Sequence, residues 1–336
     1  MSYTLTLKFF DLYPDFEREL KANFKDQTTF DFTNFTLKIE TITCNILDLP
    51  EYKTPSKYPN IAFVSPANSF GWMNGGIDAP LADKVLPGID DTLQNMLNTL
   101  NYRGELETGY STEFLDKTLN AIKKLFKSDH NLATDAIKFL TQKGLTVNHD
   151  NLEDYIDSDF IKQYFPRKTP DCHLPVGSAI IVKHQAKNQF LISAPTMFFP
   201  QDVRNTRNAY FAMISILKVV EKYNTMNPQN LITEILCPGL CTGVGGLSFT
   251  KLATQLHEAI IDFHQNVPDN TAPDQNILNS FENTFPGQLY LREPAYHQYP
   301  IKAGMISYIL RSMFHSNKKA MNFVEDNVLG EKLNFF

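Results

Sequence analysis

Two glycine-bearing stretches hold the residues best suited to chemistry. The first runs Val64-Ser-Pro-Ala-Asn68-Ser-Phe-Gly-Trp-Met-Asn-Gly-Gly-Ile-Asp78. An amide side chain at Asn68 and a carboxyl group at Asp78 bracket Gly75 and Gly76. No Cβ stands between a ligand and the backbone at those glycines. N–H groups at the start of a following helix then suit an anion. Read by itself, the stretch is equally a tight strand-to-helix turn, with Asp78 an ordinary first-turn acid favoured by the helix dipole.

The second stretch is Cys237-Pro-Gly-Leu-Cys-Thr242-Gly-Val-Gly-Gly246-Leu-Ser248. The main chain of Gly243, Val244, Gly245 and Gly246, with the Thr242 hydroxyl, can cradle a phosphate, and Ser248 suits the cap of a following helix. It is not a Walker loop, because Lys251 comes only after Ser248-Phe-Thr. A glycine-rich turn with no ligand is the lesser alternative for this loop taken singly. Two such loops, each between a strand and a helix, suggest a diphosphate held between two amide-lined walls.

The elements that must position these loops follow from hydrophobic periodicity. Ile61–Ser65 is a short, continuous apolar run between Pro59 and Pro66, as expected of a strand buried on both faces of a largely parallel sheet. The start of the chain reads strand, helix, strand over Thr4–Phe10, Asp15–Lys25 and Thr36–Thr43. Ser178–Val182 and Phe190–Ala194 read as adjacent strands joined by a turn. Asn205–Tyr223 carries a helical apolar stripe, followed by a strand at Leu231–Cys237 and a helix through Leu252–Phe263. In open α/β sheets the ligand crevice lies at the carboxyl ends of the strands, where both loops begin.

The remaining segments divide the chain. Residues 91–170 carry helical patterns around Thr92–Leu100, Phe114–Phe126 and Ala133–Leu140, and read as an inserted helical lobe. From Val267 a Pro- and Asn-rich linker leads to helix candidates at Ala303–Phe314 and Lys318–Val328. The expected division is a core of 1–90 and 171–266, an insertion of 91–170, and a linker with a helical C-terminal extension over 267–336. At 336 residues, size does not limit the core.

Composition excludes several classes. The chain is 43% hydrophobic and 20% charged, with no apolar run near the roughly 18 residues a membrane span needs. A net charge of −6 with acids and bases interspersed provides no basic field for nucleic acid. Cys44, Cys172, Cys237 and Cys241 read as reduced structural thiols, and the eight histidines have no metal spacing, so neither a metal nor a cofactor is expected. Met1–Phe10 lacks the basic region of a secretory signal, so cytoplasmic residence is expected, a host cytosol included if the chain is a secreted bacterial effector. Acids in the insertion (Glu105, Glu107, Glu113, Asp116) read as a solvated helix face.

The two loops resemble those of the macrodomains, a family that binds ADP-ribose and includes the ADP-ribose 1″-phosphate-processing proteins. The family's first loop runs Asn-Ala-Ala-Asn, a glycine-rich stretch, Val and, in the hydrolytic branch, Asp. Ser65-Pro-Ala-Asn68 followed by Gly-Gly-Ile-Asp78 is similar in order and spacing. Its second loop runs Ser-Thr-Gly-hydrophobic-aromatic-Gly, which Cys241-Thr242-Gly243-Val244-Gly245-Gly246 resembles. Thr43-Cys-Asn45-Ile46 looks like the family's Gly-Asp-Ile turn, and Leu191-Ile-Ser-Ala-Pro195-Thr196 like its strand running into Gly-Pro. The resemblance covers about 1–90 and 171–266. The chain departs from it at Asn45 (an adenine-binding Asp in the family), Ser65 (Asn), Met73-Asn74 (two glycines) and Gly245 (an aromatic).

This resemblance implies a three-layer α/β/α fold with a mixed sheet and an ADP-ribose site. Asn45 and Ile46 would meet the adenine, Asn45 through its side-chain carbonyl. The backbone of Gly75, Gly76, Ile77, Thr242, Gly243, Val244 and Gly245 would hold the diphosphate, with Gly246, Pro195 and Thr196 beside it. Asn68 would orient the distal ribose, and Asp78 would position or deprotonate a water attacking its anomeric carbon, where a carboxylate stabilises oxocarbenium-like charge. The implied activity is removal of ADP-ribose from modified protein side chains. A phosphatase or deacetylase acting on a small ADP-ribose derivative, and a non-catalytic ADP-ribose-binding module, remain open. Phe70, Trp72 and Phe199 could wall the distal ribose or simply pack.

Overall fold

The computed structural model describes residues 2–73, 75–100, 119–120, 123–124, 126–128, 130–142, 144–155, 173–184, 186–198, 202–268 and 275–292. In chain order the main elements are β1 (Tyr3–Asp11), α1 (Pro14–Asn23), β2 (Thr29–Asp31), β3 (Phe35–Thr43), β4 (Ile61–Ser65), α2 (Ile89–Leu100), α3 (His130–Gln142), β5 (Ala179–His184), β6 (Gln189–Ser193), α4 (Asn208–Met226), β7 (Glu234–Pro238), α5 (Phe249–His264), α6 (Gln275–Thr284) and β8 (Leu289–Tyr290). Two compact units share the chain: Met1–Gly104 with Cys172–His297, and Glu105–Asp171 with Gln298–Phe335.

In the first unit the eight strands form one mixed sheet in the order β2-β3-β1-β7-β4-β6-β5-β8. The five inner strands β3, β1, β7, β4 and β6 are mutually parallel, and β2, β5 and β8 join antiparallel. The carboxyl ends of five strands, Thr43, Asp11, Pro238, Ser65 and Ser193, therefore lie along one edge. All loops singled out by sequence emerge there.

Alternation along the strands explains the layers. Ala62, Val64, Ile181, Phe190, Ile192 and Ile235 pack with α1, α4 and α5 on one face through Phe16, Leu20, Met213, Leu217, Leu252 and Leu256. Their neighbours Ile61, Phe63, Ile180, Val182, Leu191 and Leu236 pack on the other face with α2 and α6 through Leu93, Met96, Leu97 and Phe281. Each fully buried Leu or Phe of this kind contributes about 1.5–3 kcal/mol. Successive residues of a strand point to opposite faces, so only a sheet covered on both sides explains strands such as β4 and β6, buried at every position.

Some elements differ from the sequence reading. The helix expected from Thr92 begins at Ile89, and its stripe Ile89, Leu93, Met96, Leu97 and Leu100 belongs to the core of the first unit. β8 lies in the stretch read as linker and tail, yet it pairs with β5 at Ala179 and Ile180. The helices expected at Ala303–Phe314 and Lys318–Val328 lie outside the described residues, as do most of Phe114–Phe126 and the acids of the insertion.

In the second unit, α3 spans the helix expected over Ala133–Leu140 and buries Ala133, Ala136 and Leu140. The His130 and His149 rings stack at 4.2 Å, and Lys127 pairs with Glu153 at 3.1 Å. Among the described residues, no helix is long and apolar enough to cross a membrane.

Candidate functional site

Adjacent parallel strands bring the two glycine loops together. β4 feeds the loop from Pro66 to Asp78, and its neighbour β7 feeds the loop from Gly239 to Ser248. The first loop is zipped to the segment after β6. Ala194 donates its N–H to Ser65 O (3.0 Å), Thr196 to Ala67 O (3.2 Å) and Ser69 to Met197 O (3.0 Å). The second is tied to the same segment, because Val203 N–H donates to Gly245 O at 2.9 Å. Ser248 caps α5, its hydroxyl accepting from Lys251 N–H.

Two rows of main-chain amides lack an internal partner at this edge. Asp78 N–H is taken up by Gly75 O and Gly246 N–H by Gly243 O. Among the described residues, no hydrogen bond engages the N–H groups of Gly75, Gly76, Ile77, Thr242, Gly243, Val244 or Gly245. A Cβ placed on Gly75 or Gly243 would meet nothing within 4 Å. At neither position does packing within the fold require glycine.

Asp78 starts a short helix, Asp78–Pro80, that runs on into the π-helical turn Leu81–Val85. It is buried, with 9% exposure, and accepts a 2.7 Å hydrogen bond from Ser65 Oγ. Burial pushes its carboxyl up to about 7, and the Ser65 hydroxyl works against that rise. A carboxyl that titrates near neutrality is equipped to exchange a proton with water.

Asn68 is 7% exposed and engaged with its own loop. Its Oδ1 accepts from Phe70 N–H at 3.0 Å and its Nδ2 donates to Trp72 O at 3.3 Å. One amide proton and one lone pair remain for a ligand. The loop is braced from α2, where Gln94 Nε2 donates to Phe70 O (2.7 Å) and Gly71 O (3.0 Å). Phe70 and Trp72 are buried and stack at 5.0 Å, so they pack the loop; Phe199 lies outside the described residues. Burial also holds His173, against Phe70 and Phe198, down to about 4.

The other expected residues divide by exposure. Asn45 is exposed after β3, and its Oδ1 accepts from Leu47 N–H at 2.9 Å. Ile46 is buried in the core, leaving only its backbone for a ligand. Pro195 and Thr196 are buried, and Thr196 works internally, with Oγ1 donating to Pro66 O and its carbonyl accepting from Asn208 Nδ2. Gly246 is exposed beside the Arg204 guanidinium. Cys44, Cys237 and Cys241 are free thiols. Among the described residues, no group of three His, Cys, Asp or Glu side chains could hold a metal ion.

No family model matches the chain, and no curated protein matches it.

Sequence reasoning passed over two residues at this edge. Ser65 stood only as a departure from a motif. Asp11, at the end of β1, accepts from the N–H groups of Leu12, Tyr13 and Gly239 and anchors the root of the second loop. Burial raises the Asp11 carboxyl, and those three donors oppose the rise. An acid closing an apolar strand was the available signal.

Proposed function

We propose that the chain is a macrodomain-like ADP-ribosylhydrolase that releases ADP-ribose from modified protein side chains. The observation that carries this reading is the pair of amide rows without an internal partner among the described residues, 75–77 and 242–245, in loops that follow adjacent strands, with the buried Asp78 carboxyl, pushed up to about 7, directly after the first row. Amide N–H groups offered by two neighbouring loops suit the two negative phosphates of a diphosphate.

In this reading the diphosphate lies between the rows and Asn45 meets the adenine. Gly246 borders the phosphates, while Pro195 and Thr196 act through the loops they hold. Asn68 orients the distal ribose with its remaining amide proton. Asp78, ionised, takes a proton from a water whose oxygen bonds to the anomeric carbon. The bond from that carbon to the protein side chain breaks, and its electron pair leaves with the side chain. Positive charge on the ribose in the transition state is stabilised by the carboxylate before the proton arrives.

The motif Ser65-Pro-Ala-Asn68-Ser-Phe-Gly favours a second substrate, a small ADP-ribose phosphate ester, handled by the same groups. Titration calorimetry with millimolar ADP-ribose tests the site itself. Saturable binding is expected from the full chain, and the absence of any saturable heat would overturn both versions.

A further inference from the structure

Ser65 is the last residue of β4 on the face that carries Ile61 and Phe63, and it has no exposure. An Ala or Val there would continue the apolar strand. Its side chain is instead a hydroxyl, directed 2.7 Å onto Oδ1 of Asp78 thirteen residues later. Around this pair the layer is apolar: Met73, Ile77, Leu81 and Val85 belong to the same cluster as Phe63. No charged group acts on the Asp78 carboxyl among the described residues, and burial and Ser65 alone set its behaviour. The charged residues of the adjoining turn, Asp83 and Lys84, are exposed, and Lys187 is committed to Val85 O at 2.5 Å.

Burying a carboxyl without a cation is costly, and an Asn or Leu at this position would spare the fold that cost. A hydroxyl has one proton to give. Once it is placed on Oδ1, the rotation of the carboxyl is restricted and the other oxygen remains for a water. A hydrogen bond to the ionised form also favours ionisation, so it opposes the burial that would otherwise keep the group protonated.

We propose that Ser65 is a positioning residue for Asp78, its hydroxyl holding one carboxylate oxygen so that the other is aimed at the reacting water. The proposal rests on the hydrolase reading for its catalytic consequence, but the coupling between Ser65 and Asp78 is measurable without turnover. The serine that replaces the amide residue of the resembled motif is, on this account, what makes the acid at Asp78 usable as a base near pH 7.

The test follows the Asp78 carboxyl carbon by NMR against pH in the full-length chain and in Ser65→Ala, with Asp78→Asn to assign the signal. The pH dependence of kcat is measured alongside on an ADP-ribosylated protein. Ser65→Ala should raise the Asp78 midpoint and move the acidic limb of kcat to higher pH by the same amount. Activity at a fixed pH on that limb falls about tenfold for every pH unit the limb moves, with a smaller loss on the plateau. Ser65→Thr, which restores a hydroxyl, should return the midpoint toward the wild-type value if it folds, and Ser65→Cys serves as the smaller, weaker donor. An unchanged midpoint in folded Ser65→Ala overturns the proposal whatever the activity. A raised midpoint without turnover in wild type would sustain the Ser65–Asp78 coupling and overturn the hydrolase reading instead.

Discussion

A side chain on Gly245 would run into the carbonyl oxygen of Cys241, whose own backbone is left-handed at φ 64°, and would lie 2.7 Å from Val203 Cγ2. The aromatic residue that the resembled motif places here has no room in this loop. The second loop is wound tightly enough for Leu247 N–H to reach Cys241 O at 3.0 Å, while Gly243 and Val244 stay outside that turn, exposed. The loop thus has a packed root and an open tip, and substitutions at the two should behave differently.

At the open tip, Gly243→Val should fold as well as wild type, because its side chain enters empty space, and should lower ADP-ribose affinity at least about tenfold by covering the amides. Calorimetry with a parallel melting curve checks both halves. Gly245→Ala should instead lower stability by about 1–3 kcal/mol through overpacking. Full affinity in a folded Gly243→Val would place the phosphates elsewhere.

The charge state of Asp78 sets a pH dependence of stability. Its folded value of about 7 lies above the ordinary 3.8, so the native chain holds a proton that the unfolded chain has already lost. Stability therefore falls as pH rises through that window, by at most about 4 kcal/mol at pH 8. Asp78→Asn should melt higher than wild type at pH 8, and the difference should shrink toward pH 4. Melting curves across that range check the sign, and a variant less stable at pH 8 would contradict the assignment.

Asn45 caps the turn at Ile46–Asp48, and the proposed function adds an adenine contact. Asn45→Ala should lose the hydrogen bond to Leu47 N–H at a cost of about 1 kcal/mol, along with adenine affinity. Asn45→Asp keeps the cap and offers the adenine amino group a charge-assisted acceptor, so ADP-ribose should bind a few-fold more tightly. Calorimetry on the pair separates the two roles.

Away from the site, Lys8 Nζ meets Glu51 at 2.5 Å and also pairs with Glu234 beneath the second face of the sheet. Glu51 is only 2% exposed. Lys8→Met would strand that carboxylate and should cost about 3–5 kcal/mol at neutral pH. Lys8→Met with Glu51→Gln should recover much of the loss in denaturant melts.

The fold was legible wherever burial writes directly into the residue order. Ile61–Ser65 and Phe190–Ala194 are continuous apolar runs because helices cover both faces of the sheet, and Ser248 announces α5 through its hydroxyl. Both glycine loops were visible because glycine spacing reports backbone that turns tightly or lies open. β8 was not legible: two residues following a Pro- and Asn-rich stretch have no periodicity, and their strand exists only through pairing with β5. Nor was the bond from Ser65 to Asp78, which depends on how a thirteen-residue excursion folds back across a strand end. The packed root at Gly245 was hidden too, since its steric limits come from the way the loop turns back on the Cys241 carbonyl and from Val203, far away in sequence.

In the proposed function Asp78 drives hydrolysis at the anomeric carbon of ADP-ribose. The most direct measurement is release of free ADP-ribose from proteins modified on Glu/Asp, Arg or Ser, and from ADP-ribose 1″-phosphate, by wild type and Asp78→Ala. Release from a protein linkage is expected of wild type, and none above background of Asp78→Ala, which still binds ADP-ribose. Equal release by both proteins, or binding without release from any substrate, would contradict the claim.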